Sequence, residues 1–332
     1  MSRLPGFVAT LFSAAGALGL ALPGSPAMAQ ADLCAQSTIE LVVPWAAGGG
    51  TDVHARLIAQ PLSERLGKQV VVVNRPGAGG VVGTTSFVHN AKPDGCSLLM
   101  ATGATNTAAP HIFKDLKFKP LEDFSPIAFV ASAPNLLYVR AKSSYQSVQE
   151  VIDKARAAPG SMTYSSGGVG ASSHLAGALF AEKAGLQLVH VPYQGGGPSM
   201  AALIDGQVDI SLDTAAQIGH IRSGNLRALA VAAEKRLTAL PDIPTFDEAG
   251  LPGLYYSFWS GIAGPKGMPP AMVEQLNREI NAVLALPGIQ QQFFNSGSEL
   301  KVGMTPAQFT EFWQSEYERN AHIVRIANAR AD

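Results

Sequence analysis

The sequence predicts a two-lobed α/β protein built on parallel sheets. Three observations carry this. Apolar runs of strand length alternate with helix-patterned segments, the mark of parallel βαβ units. The same grammar, a strand followed by a glycine-rich loop and a helix, occurs in the first third of the chain and again in the middle. The length of 332 residues suits two domains better than one.

The elements follow in order. Residues 39–43 read as the first strand, and a loop runs from Pro44 to Gly50. Thr51 stands where an N-cap belongs, with Asp52 in the first turn and apolar residues at Val53, Leu57, Ile58, Leu62 and Leu66. Pro61 should kink this helix, and Gly67 ends it. The four valines 70–73 read as a strand buried on both faces. A second glycine turn, 74–80, precedes another helix, and a third strand covers 97–101 after Pro93-Asp94-Gly95. The second unit predicts strands over 135–140, 162–165, 188–191, 208–212 and 226–232. Its helices are expected over 148–158 and from about 174 to 183, where Gly185 stops the second. From Pro269 onward the chain reads as helical, over 272–284 and 306–326.

The first 29 residues read as a secretory signal peptide. Arg3 gives the positive start, residues 7–22 the apolar stretch, and Ala27-Met28-Ala29 the cleavage signal, so that Gln30 begins the exported mature chain. Without Arg3 the chain has 25 acidic residues and one basic residue fewer than its 24. This near-neutral balance, with no basic patch, gives no support to nucleic-acid binding. Cys34 and Cys96 both lie in the exported part. With strand order 2-1-3 the first and third strands are neighbours, which puts both cysteines at one edge and predicts a disulfide, the alternative being two separate buried thiols.

The glycine loops carry the chemistry. Gly48-Gly49-Gly50-Thr51 joins a strand end to a helix start, where free N–H groups and the helix dipole favour an anion. Gly168-Val169-Gly170-Ala171-Ser172-Ser173 repeats the arrangement with added hydroxyls. Neither loop contains Arg or Lys, which suits a carboxylate held by neutral donors and water better than a phosphate. Taken singly, each loop also fits a plain strand–helix turn.

The run from Leu41 to Asp52 and the run from Val72 to Gly80 resemble the substrate-binding components of tripartite tricarboxylate transporters, the Bordetella uptake gene family. Matches continue in order at Pro93-Asp94-Gly95, 190–195, 206–209, 226–231, 240–245 and 248–253. The resemblance implies a type II periplasmic binding protein, a Venus flytrap with its ligand between the lobes. One lobe would hold 30–131 plus 261–332, the other 132–260. It implies a small organic carboxylate as ligand and a two-subunit membrane permease as partner, with a monomeric binding protein and no cofactor. Carried over by motif, Gly48, Gly49, Gly50, Thr51 and Asp52 form the first-lobe loop, and Val169, Gly170, Ala171, Ser172 and Ser173 the second. Asp213 and Thr214 complete the cleft, and Thr102 and Thr105 line it.

Individual residues keep alternatives. Asp52 either favours the helix start electrostatically or orients bound water. Asp213 either bonds backbone N–H groups at a strand end, orients donors or water, or reads an amino group of the ligand. Trp45 and Tyr193 either wall the cleft or pack. Ser172 or Ser173 with His174 makes no nucleophile–base pair, because adjacent helical residues do not face each other and no G-x-S-x-G elbow is present. A secreted hydrolase therefore lacks a catalytic set. A dinucleotide enzyme lacks its third glycine, since Val82 stands there. The seven histidines show no metal-ligand spacing. A sensor of the same fold, feeding a signalling partner, would read alike in sequence.

Overall fold

The computed structural model describes residues 33–330 together with Met1, Ser2 and Gly6. The rest of the predicted leader, its cleavage signal and Gln30 lie outside the described residues. The elements run in this order: β1 (Thr38–Val43), α1 (Gly50–Leu66), β2 (Gln69–Asn74), α2 (Val81–Asn90), β3 (Ser97–Thr102), α3 (Ala109–Ile112), β4 (Phe124–Arg140), α4 (Val148–Ala157), β5 (Thr163–Ser166) and α5 (Ser172–Ala184). There follow β6 (Val189–Pro192), α6 (Gly196–Asp205), β7 (Ile210–Thr214), α7 (Ile218–Arg222), β8 (Leu226–Val231), β9 (Ser257–Pro265), α8 (Pro270–Leu284), α9 (Pro287–Asn295), β10 (Glu299–Leu300) and α10 (Pro306–Ile326).

The sheet path is β2-β1-β3-β9-β4-β7-β5-β6, with β8 and β10 added on β4. The strands β2, β1 and β3 are parallel, as are β6, β5 and β7, which bears out the two βαβ units. The expectation of wholly parallel sheets needs correction. β9 runs antiparallel to both β3 and β4, and β4 runs antiparallel to β7, β8 and β10. β4 is 17 residues long and serves both halves: its first part pairs with β9, its last part with β7 and β8. Only its last six residues read as a strand. Pro126, Pro134 and two register slips break the period of the earlier part. The valine run of β2 was read as buried on both faces; it is instead the edge strand, and Val71 is exposed.

The strand directions set the site. β3 is antiparallel to β9 and β9 to β4, so β3 runs with β4, while β7 runs against it. The carboxyl ends of β3 and β7 therefore approach each other. Thr102 lies beside Ser260, which lies beside Ala131, and Thr214 lies beside Asn135. Four positions along β4 separate the two ends, about 13 Å. Because β1 is parallel to β3 and β5 to β7, the loops after all four strands open toward the same junction.

Apolar residues cover both faces of each half. On the first half α1, α8 and α9 bury Ile58, Leu62, Leu276 and Phe293 on one face, and Phe87 and Trp259 pack on the other. On the second, α4 and α5 bury Val151 and Phe180 on one face, and α6 buries Met200 and Leu203 on the other. α10 joins both cores, with Phe309 and Trp313 in the first and Ile323 and Val324 in the second. It is anchored by a capping box of Thr305 and Gln308. The expected disulfide joins Cys34 and Cys96, tying the segment before β1 to the start of β3.

Candidate ligand-binding site

The α1 start differs from its sequence reading. Gly49, not Thr51, occupies the cap position, with φ −75° and ψ 164°, and no side chain caps the helix. Thr51 is buried inside the first turn. Pro61 lies within one uninterrupted helical span, which closes at Gly67 in the left-handed conformation. Asp52 turns back and accepts from the Gly48 N–H at 2.8 Å. Its two oxygens also take Arg56 Nε and Asn74 Nδ2, each at 2.9 Å. Burial alone would raise this carboxyl, but Arg56, Gly48 and Asn74 together hold it below its ordinary value. Asp52 is thus an ionised brace for the loop. Among the described residues, nothing accepts from the N–H groups of Gly50, Thr51 or Asp52. Gly49 and Gly50 are not demanded by conformation or space: neither has positive φ, and a Cβ on Gly49 would meet only the Ala46 carbonyl, at 3.5 Å. Their lack of a side chain leaves the free N–H groups open.

The α5 start repeats this design. The helix begins at Ser172, two residues before the expected position, with Ala171 at an uncapped cap position. His174 Nδ1 accepts from the Gly170 N–H at 3.1 Å, the same four-residue offset as Asp52 and Gly48. Ser173 Oγ accepts from the Gly167 N–H at 3.0 Å. So Ser173 and His174 brace their own loop, and the N–H groups of Ser172, Ser173 and His174 have no acceptor among the described residues. His174 stacks on His190 at 3.9 Å and an angle of 4°, and Tyr164 continues the stack. His190 Nε2 lies 2.6 Å from Ser166 Oγ. Burial, with the neighbouring His190, pushes His174 down to about 3, and burial alone holds His190 at about 4. The Ser166–His190 pair escaped sequence reading because its members lie 24 residues apart on β5 and β6. Ser166 has no exposed surface, so the pair shapes the loop base.

Across the junction the second glycine turn meets the α5 loop. A Cβ on Gly79 would lie 3.7 Å from the Val169 carbonyl, and one on Gly170 would lie 2.5 Å from the Ile112 Cδ1. Thr102 and Thr105 are brought to the same place but lie beneath the surface. Their hydroxyls bond each other at 3.3 Å, and Thr105 donates to the Gly79 carbonyl. They support the turn, and Asn106, which sequence reading passed over, joins them by accepting from the Thr102 N–H. Asn106 sits in a π-helical turn, 104–108. Trp45 and Tyr193 are half-buried against the first and second cores. Asp213 and Thr214 end β7 at the junction, and burial raises the Asp213 carboxyl although the Thr214 N–H bonds it at 2.7 Å. A separate groove of about 520 Å³ lies between residues 301–304 and α10, and no predicted site residue lines it. Among the described residues no group of three His, Cys, Asp or Glu side chains could hold a metal ion.

The two loops that the resemblance named lie at one junction with no basic side chain in either, and their helix starts, unlike the Thr51 cap read from the sequence, are uncapped. The sequence profile of the tripartite tricarboxylate transporter family receptor matches residues 54–329. The chain belongs to this family. Solved structures of similar proteins agree with the assignment. The periplasmic binding protein BugD is 33% identical and superposes with a TM-score of 0.81, over 89% of this chain and 99% of its own. A Rhodopseudomonas palustris protein with adipate is 30% identical, with a TM-score of 0.83 over 88% and 98%. MatC from the same organism, with bound malate, is 31% identical, with a TM-score of 0.80 over 86% and 98%. These likenesses establish the two-lobed periplasmic binding protein fold for this tripartite tricarboxylate transporter receptor.

Proposed function

We propose that this receptor captures a small organic carboxylate between the starts of α1 and α5 in the periplasm, and hands it to the two-subunit permease of its transporter. One observation carries the reading: the loops brace themselves through Asp52, Ser173 and His174, so the helix N–H groups stay free for a ligand. Gly48 to Asp52 and Val169 to Ser173 supply the anchoring loops. Thr102 and Thr105 support them from below, Trp45 and Tyr193 wall the cleft, and Asp213 and Thr214 close its floor. The adipate and malate in similar proteins support a carboxylate. A neutral donor set costs less on release than a buried ion pair, which suits a protein that must give up its ligand.

The lobes of this reading are residues 30–131 with 261–332, and 132–260, and α10 leans on both. Closure about β4 and β9 would complete the site, with the protein acting as a monomer and making no covalent bond. The test is a thermal-shift screen of the mature protein against di- and tricarboxylates, acidic amino acids and aromatic acids. A ligand of the folded state raises the melting temperature with concentration. Gly49→Val should still give a folded protein, since the backbone conformation and the space at its Cβ accept a side chain, while weakening binding about tenfold or more. Full affinity in that variant would remove the α1 loop from the site.

A further inference from the structure

The start of α6 carries the same signature as those of α1 and α5. Gly195 holds the cap position without a side-chain cap, and the N–H groups of Gly196 and Gly197 find no acceptor among the described residues. Neither glycine has positive φ, and a Cβ on Gly197 would meet nothing within 4 Å. At Gly196 and Gly197 glycine is therefore not required by the fold, whereas Gly195, with φ 113°, is held by its backbone conformation. One side chain is aimed into the opening. Asp213 is 6% exposed, and its Oδ2 has no hydrogen-bond partner. That oxygen lies 3.5 Å from where a Cβ on Gly196 would sit, and Gln217 Nε2 lies 4.0 Å from the same point. The nearby Tyr138 hydroxyl donates to the Thr214 carbonyl and not to Asp213. Gly297 of the first half reaches Ala215 beside this spot: a Cβ there would lie 2.6 Å from the Ala215 Cβ. The α6 start thus belongs to the junction between the halves.

We propose that Asp213, Gln217 and the first turn of α6 form a second subsite of the cleft, which takes a hydroxyl group of the carboxylate ligand and selects hydroxy acids over their deoxy counterparts. The proposal rests on the carboxylate-binding reading above. The chemistry follows from what is left unpaired. Asp213 Oδ2 needs a donor, and the Gly196 and Gly197 N–H groups need an acceptor. A hydroxyl is both at once. An ammonium donates but cannot accept, and it would face the positive end of the helix. A second carboxylate could accept from the N–H groups but would meet the Asp213 charge. A buried carboxylate oxygen left without a donor is costly, so a ligand that supplies one gains, and a ligand that leaves it bare is rejected.

Calorimetric titration of the mature protein with matched acids tests this: propionate against lactate, succinate against malate, and glutarate against 2-hydroxyglutarate. In each pair that binds, the hydroxy acid should bind about tenfold tighter or more. Asp213→Ala should bring that ratio to within about twofold, whatever it does to the absolute affinities. Should the alanine variant melt early, Asp213→Asn keeps the shape but not the charge, and should lower the ratio about threefold or more. A ratio near one in the wild-type protein overturns the subsite, as does an unchanged ratio in the variant that folds. Binding of none of the six acids or of the wider panel overturns the carboxylate reading itself, and the subsite with it.

Discussion

Asp52 and His174 do one job in two unrelated chemistries. Each accepts from the N–H four residues before it, so the loop is fixed without using up the helix N–H groups. The carboxylate is held ionised by Arg56 and Asn74, the imidazole is held neutral by burial. This gives a pH prediction. His54 is buried between Ser260 and Ser298 and lowered to about 4, and His190 is lowered likewise. A histidine whose folded value lies below its unfolded value stabilises the fold fully above the unfolded value, near 6.5. As the pH falls from there toward 4, the unfolded chain takes up protons first and stability is lost. His54 alone should account for about 3 kcal/mol of that loss. Urea midpoints at pH 7.5, 5.5 and 4.5 would show it, and a midpoint flat across this range would contradict the neutral imidazoles. Sequence gave the glycines and Asp52 as site residues, since glycine runs after strands are a local signal. It could not give Asn74 as a partner of Asp52, because Asn74 lies 22 residues away on β2.

At the scale of elements, eight of the ten helix starts among the described residues have no side-chain cap. α4 is capped by Ser147 and α10 by Thr305, where the end needs only to be closed. α1, α5 and α6 begin behind glycine or alanine with no cap, where the N–H groups face the junction. A side chain added at Gly49 is the direct probe of the α1 opening. α10 was legible to the residue because its proline, capping residues and apolar spacing all agree. β9 was not legible: Ser257 to Pro265 has no alternation, two internal glycines, and burial on both faces. The segment before β1 is tied to the start of β3 by the disulfide over a sequence separation of 62. In chain-entropy terms that link stabilises by about 4 kcal/mol. Paired Cys34→Ser and Cys96→Ser changes should lower the urea midpoint accordingly. An equal midpoint would mean that the start of β3 and the segment before β1 hold together without it.

For the whole molecule, the long β4 and the returning β9 do what two separate parallel sheets could not. They turn the carboxyl ends of β1 and β3 toward those of β5 and β7, so that loops distant in sequence share one junction. The two βαβ units were visible in the sequence as a repeated grammar. Their opposition was not, because it depends on antiparallel pairings made by segments with weak strand patterns. The same junction brings Gly79 against Val169 and Gly297 against Ala215, which are the contacts that lobe closure would make and break. The most direct test of the account is an amide spectrum of nitrogen-15-labelled protein, titrated with an acid found in the thermal-shift screen. The account predicts that the N–H resonances of Gly50, Thr51 and Asp52, and those of Ser172, Ser173 and His174, move together and saturate with the ligand. Saturable binding that leaves both sets unmoved would contradict it.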